Sequence, residues 1–488
     1  MKALLIYPEF PKNTFWGFQY SLSLISKKAA SPPLGLLTMA SLLPKEWEIK
    51  LIDINVEKLK DKHIKWTDIV FISAMLIQEK STKEIIQLCR HYGKKIVAGG
   101  PAFTALKKDF ALVDHYVLNE AELTLPLFLK DLKEGKTKEY YTSTKKINIE
   151  KIPLPFWSLI NHKKYASMAV QYSKGCPFNC DFCSITTMDG HISRAKTPQQ
   201  MMKELDAIYN SGFRGSVFIV DDNFIGNKKN VKLMLKELIQ WQKQHNYPFT
   251  FFTEASINLA KEHDLMCLMR LSNFYKVFIG IETTNIKSLR ECGKLQNVNI
   301  NINKAVQTIQ ENGLEVTAGF IVGFDNDTKE VFDSLIEFIQ SSNIITAMVG
   351  ILNAVPGTEL YKRLKKEGRI LQHSSGENTD CSINFLPKMD VKELIDGYKK
   401  IVSTIYSRKY CYKRIKNFIK THQSTTKTKL TLTDIKAFIR TTWRIGIFSN
   451  SRLSYWPLMI KTNKLHLSVR LIIIGEDLIR TTKKNIKI

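Results

Sequence analysis

The chain has 488 residues, 44% hydrophobic and 24% charged, enough for two or three domains that each bury a core. No apolar run reaches the roughly 18 residues of a spanning helix, and eight cysteines in this length are not a disulfide scaffold, which argues against membrane channels and small secreted domains. The formal charge of +26 is uneven: from Ile401 onward there are 19 Lys and Arg against 3 Asp and Glu, a tail that would be drawn to phosphate, whether of nucleic acid or of an anionic lipid surface.

In chain order, Ala3–Tyr7, Ile49–Ile54, Asp68–Ser73, Lys95–Ala98 and His115–Leu118 read as strands. The apolar stretch at the start is too short for a signal-peptide core and reads as a first buried strand. Leu34–Leu43 and Lys80–Tyr92 carry apolar residues at helical spacing. This alternation predicts a parallel, doubly wound sheet, whose ligand face lies at the strand carboxyl ends. Those ends are Tyr7-Pro8-Glu9, Asp53-Ile54-Asn55, Ser73-Ala74-Met75, Gly99-Gly100-Pro101 and Asn119-Glu120-Ala121-Glu122, all polar or rich in Gly and Pro. Residues 1–135 form this domain, and 136–166 read as a linker marked by the charged run Lys133–Lys146 and by Pro153 and Pro155.

A second alternation occupies 167–373. Its strands are Ala169–Ser173, Ser216–Val220, Thr250–Thr253, Val277–Ile281, Val316–Val322 and Ala347–Leu352. The helices between them are Thr197–Asn210, Lys228–His245, Leu259–Leu271, Asn301–Asn312 and Asp327–Ser341. Thr197 followed by Pro198 is a natural N-cap, and Asp327 with Glu330 is a capping-box-like start. Strand–helix units repeated in this way predict a partial (β/α)6 barrel with its site at the strand carboxyl ends. Residues 374–488 lose strand signals and read as a helical, basic, irregular domain.

The chemistry is carried by Gly175-Cys176-Pro-Phe-Asn-Cys180-Asp-Phe-Cys183, directly after a predicted strand. Four thiolates would saturate a 4Fe–4S cluster, whereas three spaced C-x3-C-x2-C in one loop leave one iron open to a small-molecule ligand. Gly175 lets the backbone approach such a cluster, and Phe182 would keep water from it. Zinc, or three unrelated buried cysteines, are the alternatives. Zinc would ask for a fourth Cys or His at matching spacing, but Cys267, Cys292, Cys381 and Cys411 are scattered singly. Clustered thiols of this kind imply a reducing, cytoplasmic compartment.

With this spacing the sequence resembles the radical S-adenosylmethionine (SAM) superfamily, whose signature sits in the first strand–loop of a partial barrel. The resemblance implies that Cys176, Cys180 and Cys183 hold a 4Fe–4S cluster and that SAM is cleaved reductively at its open iron. It implies a cofactor-facing acid at Asp221, in the Val220-Asp221-Asp222-Asn223 strand end, and at Glu254, in Phe252-Thr253-Glu254. Glu282 ends Gly280-Ile281-Glu282, and Gly319 and Gly323 lie in Gly319-Phe-Ile-Val-Gly323-Phe-Asp325. By the resemblance, Glu254 and Glu282 serve the ribose hydroxyls or the methionine amine, and the two glycines admit the adenine. An acidic residue at a strand end can also simply cap the next helix, and a glycine in a strand is often only a packing contact.

A Rossmann-like domain ahead of the barrel resembles the cobalamin-binding branch, which implies a corrin at Ser73, Met75, Gly99 and Gly100. Asn119-Glu120-Ala121-Glu122 departs from that branch's Gly-Glu-Gly-Glu by two glycines, and no Asp-x-His-x-x-Gly loop offers a lower axial histidine. The alternative is a domain that kept the fold and lost the cofactor. Over Val170–Arg369 the runs Phe218–Lys229, Thr253–Leu259 and Thr317–Asp325 resemble the hopanoid C-2 methylase group, whose C-terminal domain is echoed around Ser454-Tyr-Trp-Pro457.

The resemblance implies cobalamin-dependent methyl transfer to an unactivated carbon of a small, lipid-like substrate, with an electron donor such as flavodoxin or ferredoxin. Phe418–Ile419, Phe438–Ile439, Trp443–Phe448 and Leu471–Ile474 alternate with Lys and Arg, compatible with peripheral contact at the inner membrane face or with helices packing back on the barrel. Other readings stay open: a cobalamin–radical SAM cyclase or rearrangement enzyme, an RNA-modifying enzyme, and a non-catalytic iron–sulfur or zinc scaffold. An RNA methylthiotransferase would need a second cysteine trio in the N-terminal domain, where only Cys89 is present.

Overall fold

The computed structural model describes the chain except residues 13, 16, 107–109, 378, 424–425, 428–430, 461, 463 and 487–488. The first sheet contains β1 (Lys2–Tyr7), β2 (Glu48–Asp53), β3 (Ile69–Ser73), β4 (Lys95–Gly99), β5 (His115–Val117) and β6 (Tyr140–Tyr141) in the order β2-β1-β3-β4-β5-β6. All its pairings are parallel. Ala3, Leu4, Leu5 and Ile6 are all completely buried, the continuous apolar run of a strand covered on both faces. The strand order reverses between β1 and β3, so the ends at Tyr7 and Ser73 flank the crevice where such sheets take ligands.

After β7 (Ser167–Val170), a short antiparallel hairpin of β8 (Ser173–Lys174) and β9 (Arg194–Ala195) interrupts the second sheet. The sheet continues with β10 (Gly215–Ile219), β11 (Phe249–Ala255), β12 (Phe274–Glu282), β13 (Glu315–Val322) and β14 (Ala347–Ile351). Its order is β14-β13-β12-β11-β10-β7, again all parallel, with β7 and β14 as its edges: a half-barrel.

Most expected elements are present, with three differences. Thr197 caps its helix in a full capping box with Gln200, but Asp327 does not cap the helix Glu330–Ser341, which starts from Lys329. The nearer unsatisfied amides at the end of β13 capture it instead: Gly323 and Phe324 donate to Asp327 Oδ2 at 2.9 and 3.1 Å, and Ser288 donates to Oδ1 at 2.7 Å. Second, the charged segment read as linker contains β6, which pairs with β5 and extends the first sheet. The same segment ties the two sheets together, since Ala29 bridges Tyr165 and the Tyr165 hydroxyl donates to Asp53 Oδ2 at 3.0 Å.

Third, the basic C-terminal region is helical as expected but regular where an irregular path is expected, forming helices Val391–Ile405, Arg408–Thr421, Leu432–Thr441, Arg452–Ile460 and Leu465–Ile486. Phe418, Ile419, Leu471, Ile472 and Ile473 pack back into the core, whereas Ile439, Trp443, Ile447 and Phe448 stay exposed. Among the described residues no helix is long and apolar enough to cross a membrane.

Tyr406 joins this region to the half-barrel. Its buried hydroxyl accepts the Ala347 N–H at 3.0 Å and donates to the Ala347 carbonyl at 2.7 Å, satisfying both peptide groups on an edge strand. Tyr406→Phe strands both, and is expected to lower unfolding free energy by about 1–3 kcal/mol in denaturant titration.

Candidate active site

The cysteine loop starts from a buried carboxylate. Asp221, just past β10, accepts the N–H groups of Tyr172 and Ser173 at 2.7 and 2.8 Å and the Ser173 hydroxyl at 2.6 Å. Burial pushes its pKa up to about 7, and these donors oppose the shift. Gly175 follows with φ of +92°, its N–H donating to Asp222 Oδ2 at 3.3 Å. A Cβ there would stand 2.6 Å from the Ile192 carbonyl oxygen and 2.9 Å from that of Gly190, so only glycine passes.

Further backbone bonds fix the rest of the loop. Cys176 N–H donates to Gly190, Asp181 N–H to Cys292, Cys183 N–H to Cys180, and Leu360 N–H to Asp181. Cys180 is buried, and Cys176 and Cys183 are half-buried. Burial raises the thiols of Cys180 and Cys183, the latter to about 12, and the neighbouring cysteines add to both shifts.

Groups that favour negative sulfur surround them. Asn223 Nδ2 lies 3.8 Å from Cys176 Sγ, Gln296 Nε2 lies 4.0 Å from Cys180 Sγ, and the Lys294 ammonium lowers the pKa of Cys180 and Cys183. Among the described residues, no three His, Cys, Asp or Glu side chains converge on a single-ion site. Three thiols on one loop, threaded past a glycine and faced by amide and ammonium donors, fit a 4Fe–4S cluster with one iron left free.

A cavity of about 1090 Å³ fills the half-barrel and reaches the edge of the first sheet. Glu254, Glu282, Gly319 and Phe182 line it, as do Tyr7, Glu9 and Asn55 from the first sheet. Burial raises Glu254 to about 7, with the charges of Asp222 and Asp221 adding to the effect. Glu282 sits at a left-handed φ of +65° with its carboxylate 2.6 Å from Lys294 Nζ. Gly319 leaves room for the Phe278 ring, which a Cβ would approach to 3.0 Å, and Phe182 packs at 6.2 Å between centroids on Phe324. The open side of the half-barrel is roofed by the Gly17–Ser31 segment and by Phe438, Arg470 and Ile473 of the C-terminal helices.

Other candidates from the sequence lie apart from this lining. Asp221 anchors the loop from behind. Gly323 (φ +103°) makes the turn after β13, where a Cβ would stand 3.1 Å from Leu394 Cδ2. At the first sheet's edge, a Cβ on Gly99 would come within 2.6 Å of the Val117 carbonyl oxygen, and one on Gly100 within 2.7 Å of Ser73 Oγ. These glycines let the strand ends close on one another. Met75 donates its N–H to Gln78 Oε1 at 2.9 Å and leaves its side chain part-exposed. Asn119 takes the left-handed φ of +63° that a glycine would, and Glu120 pairs with Arg194 at 2.7 Å, clamping the β8–β9 hairpin.

Lys294 and Gln296 escaped the sequence reading because they lie more than a hundred residues from the cysteines. Asn223 and Asp222 lie in the Val220–Asn223 strand end, and their contacts with Cys176 and Gly175 set them apart.

Comparison with known proteins agrees with this geometry. Residues 170–339 match the Radical SAM superfamily, and residues 358–487 match a domain of unknown function, DUF4070. The chain is 40% identical over 463 residues to an uncharacterized methyltransferase of Synechocystis sp., covering 93% of this chain and 86% of that protein. It is 31% identical over 474 residues to the hopanoid C-2 methylase of Rhodopseudomonas palustris, covering 94% and 89%. In fold it is similar to the cobalamin-dependent S-adenosylmethionine radical enzyme OxsB with aqua-cobalamin bound, at a TM-score of 0.66 and 14% identity over 99% of this chain and 80% of that one. It is also similar to the radical S-adenosylmethionine methyltransferase TsrM from Kitasatospora setae with cobalamin and a 4Fe–4S cluster bound, at 0.61 and 11% over 99% of each chain.

Two outcomes follow from the site. Gly175→Ala forces a Cβ into two carbonyl oxygens, so iron per chain after anaerobic reconstitution should fall to background while far-ultraviolet circular dichroism is retained. Glu254 has a raised folded pKa, so the folded state binds more protons than the unfolded one between its ordinary value and about 7. Stability of the cofactor-free protein should therefore fall as pH rises through that window, and Glu254→Gln should recover about 3 kcal/mol at pH 8 but little at pH 5, read by urea titration.

Proposed function

This chain belongs to the cobalamin-binding radical SAM superfamily, and from that premise we propose that it is a methyltransferase acting on an unactivated carbon of a small, lipid-like substrate. The observation that carries this reading is a cavity that touches both the barrel's strand ends, beside the cysteine loop, and the ends of the first sheet. When bound, a 4Fe–4S cluster with an open iron supplies reductive cleavage of SAM, and a corrin supplies the methyl carrier.

The protein's part is to hold and to exclude. Cys176, Cys180 and Cys183 would ligate the cluster as thiolates. Lys294, fixed by Glu282, and the side-chain amides of Asn223 and Gln296 offset that negative charge in a buried place. Among the described residues no side chain pairs with the Glu254 carboxyl, which lines the cavity, the position from which a carboxyl can take SAM hydroxyls or its ammonium. Gly319 and Gly280 keep the floor of the half-barrel clear: a Cβ on Gly280 would collide with the Glu282 carboxylate and reach within 2.7 Å of Lys294 Nζ. Phe182, Phe278 and Phe438 make the walls apolar, and the roof keeps water from reactants that must be aligned.

Tyr7, Glu9 and Asn55 give the first sheet a polar edge on the same cavity, which supports a corrin between the sheets. That the homologous hopanoid methylase acts on a hopanoid, together with the mostly apolar lining, supports a lipid-like substrate. A reducing compartment, an external low-potential electron donor such as flavodoxin or ferredoxin, and peripheral contact with the inner face of the membrane belong to the same reading.

The test is anaerobic reconstitution with iron, sulfide, cobalamin and a low-potential reductant. The protein should form 5′-deoxyadenosine from SAM, retain corrin absorption through gel filtration, and lose 5′-deoxyadenosine formation in Cys180→Ala. Deoxyadenosine without retained corrin would instead favour a radical SAM reaction that transfers no methyl from cobalamin.

A further inference from the structure

Large apolar side chains are exposed together in one stretch of the C-terminal domain. Trp443 (60% exposed), Ile447 and Phe448 (69%) lie on or beside the π-helical turn Thr442–Ile447, and Leu453 (81%), Trp456 and Ile460 (76%) follow on the helix Arg452–Ile460. Leu453, Trp456 and Ile460 are spaced i, i+3, i+7, which places them on one helix face. The two elements abut: Trp456 Nε1 donates to the Gly446 carbonyl at 2.9 Å, and a Cβ on Gly446 would come within 2.8 Å of the Tyr455 ring. Trp443 and Phe448 meet edge to face at 5.0 Å. A π-turn within a helical run commonly marks a functional position, and here it directs two aromatic rings to the outside.

The charge carried by this stretch of sequence has one sign. Between Asp434 and Glu476 the sequence carries seven Lys and Arg and no acidic residue. Lys436, Arg444 and Arg452 are exposed among the apolar residues. Beside Trp443 and Phe448 a cleft is lined by Tyr20, Arg444 and Arg480. Arg480 lies over the Tyr20 ring at 3.9 Å and 3.7 Å from Glu476 Oε2, and Arg444 donates to Ser23 Oγ at 3.1 Å.

The patch adjoins the cavity roof. The preceding helix Leu432–Thr441 puts Ile435 and Phe438 on the cavity, while Ile439, one turn past Ile435, is 59% exposed. Ser23 and Ser26, which accept hydrogen bonds from Arg444 and Arg440, belong to the other half of the roof.

We propose that this face docks on an anionic phospholipid bilayer, with Trp443, Phe448, Leu453, Trp456 and Ile460 entering the interface and Lys436, Arg444 and Arg452 meeting headgroup phosphate. A cluster of tryptophan, phenylalanine and leucine interleaved with the exposed cations Lys436, Arg444 and Arg452 matches the apolar-below, anionic-above layering of such a surface. A neutral partner protein gives the unopposed cations no role. Docked this way, the roof segments 17–31 and 432–441 lie next to the lipid, so a lipid-like substrate reaches the cavity without crossing water. That last step rests on the methyl-transfer reading; the docking does not.

Cosedimentation of the full, cluster-loaded chain with vesicles of phosphatidylcholine alone and of phosphatidylcholine with phosphatidylglycerol tests the proposal. The wild type should bind the mixed vesicles, with tryptophan fluorescence quenched by brominated acyl chains. Trp443→Ser/Phe448→Ser/Leu453→Ser should weaken binding by about tenfold or more, since each exposed side chain forgoes its transfer free energy. Lys436→Glu/Arg452→Glu should abolish the preference for phosphatidylglycerol. None of these residues lines the cavity, so 5′-deoxyadenosine formation in solution should be unchanged, which separates failed docking from failed chemistry. Absence of binding to either vesicle, binding unaffected by the triple variant, or a wild-type dimer that the triple variant dissociates and vesicles do not would each overturn the proposal.

Discussion

Asp221 bears the constraint on which the site depends. A carboxylate sealed from solvent accepts two amides and a hydroxyl from the turn that launches the cysteine loop, so the loop cannot move without leaving an uncompensated buried acid. Two residues past that turn the chain passes Gly175, where two carbonyl oxygens leave no room for a side chain. Between them, these two features convert a sequence spacing of cysteines into a fixed arrangement. The nearby cation Lys294 and the amides of Asn223 and Gln296 arrive from β10 and from the segment after β12, so the rest of the half-barrel is what brings charge compensation to the thiols.

The half-barrel is open by construction, and an open half-barrel alone would expose radical chemistry to water. Here the opening is covered by three parts of the chain: the edge of the first sheet, the segment 17–31, and the C-terminal helices. They are tied to one another as well as to the barrel. The Ser21 N–H donates to Asp477 Oδ1 at 2.8 Å, Arg470 pairs with Glu315 of β13 at 2.7 Å, and Tyr406 grips edge strand β14. The C-terminal domain is therefore structural lid and outer surface at once, buried apolar on one side and exposed apolar and cationic on the other.

Much of this was legible in the sequence, for identifiable reasons. The longer strands of both sheets announce themselves as short β-rich, largely apolar runs, whereas two-residue β6 lies hidden in a charged segment, and the cysteine spacing is specific enough to carry the chemistry. What escaped depends on contacts between distant residues. Asp327 has the spacing of a cap, yet the turn at Gly323 takes its carboxylate. Asp221 reads as a ligand-facing acid, yet it faces backward into the Tyr172–Ser173 turn. Gly99 and Gly100 read as room for a ligand, and the structure shows them also making room for Val117 and Ser73. A basic, irregular tail is what charge alone suggests; helical packing of Phe418 and Leu471 against the core becomes visible only once β13 and β14 supply the surface they bury.

The free iron is the claim from which the chemistry follows, and electron paramagnetic resonance of the reduced, reconstituted protein tests it most directly. Adding SAM should change the g-values of the cluster signal, because its amino and carboxylate groups would chelate the iron that the three cysteines leave without a protein ligand. A spectrum indifferent to SAM, or a protein that takes up zinc in place of iron, would contradict it.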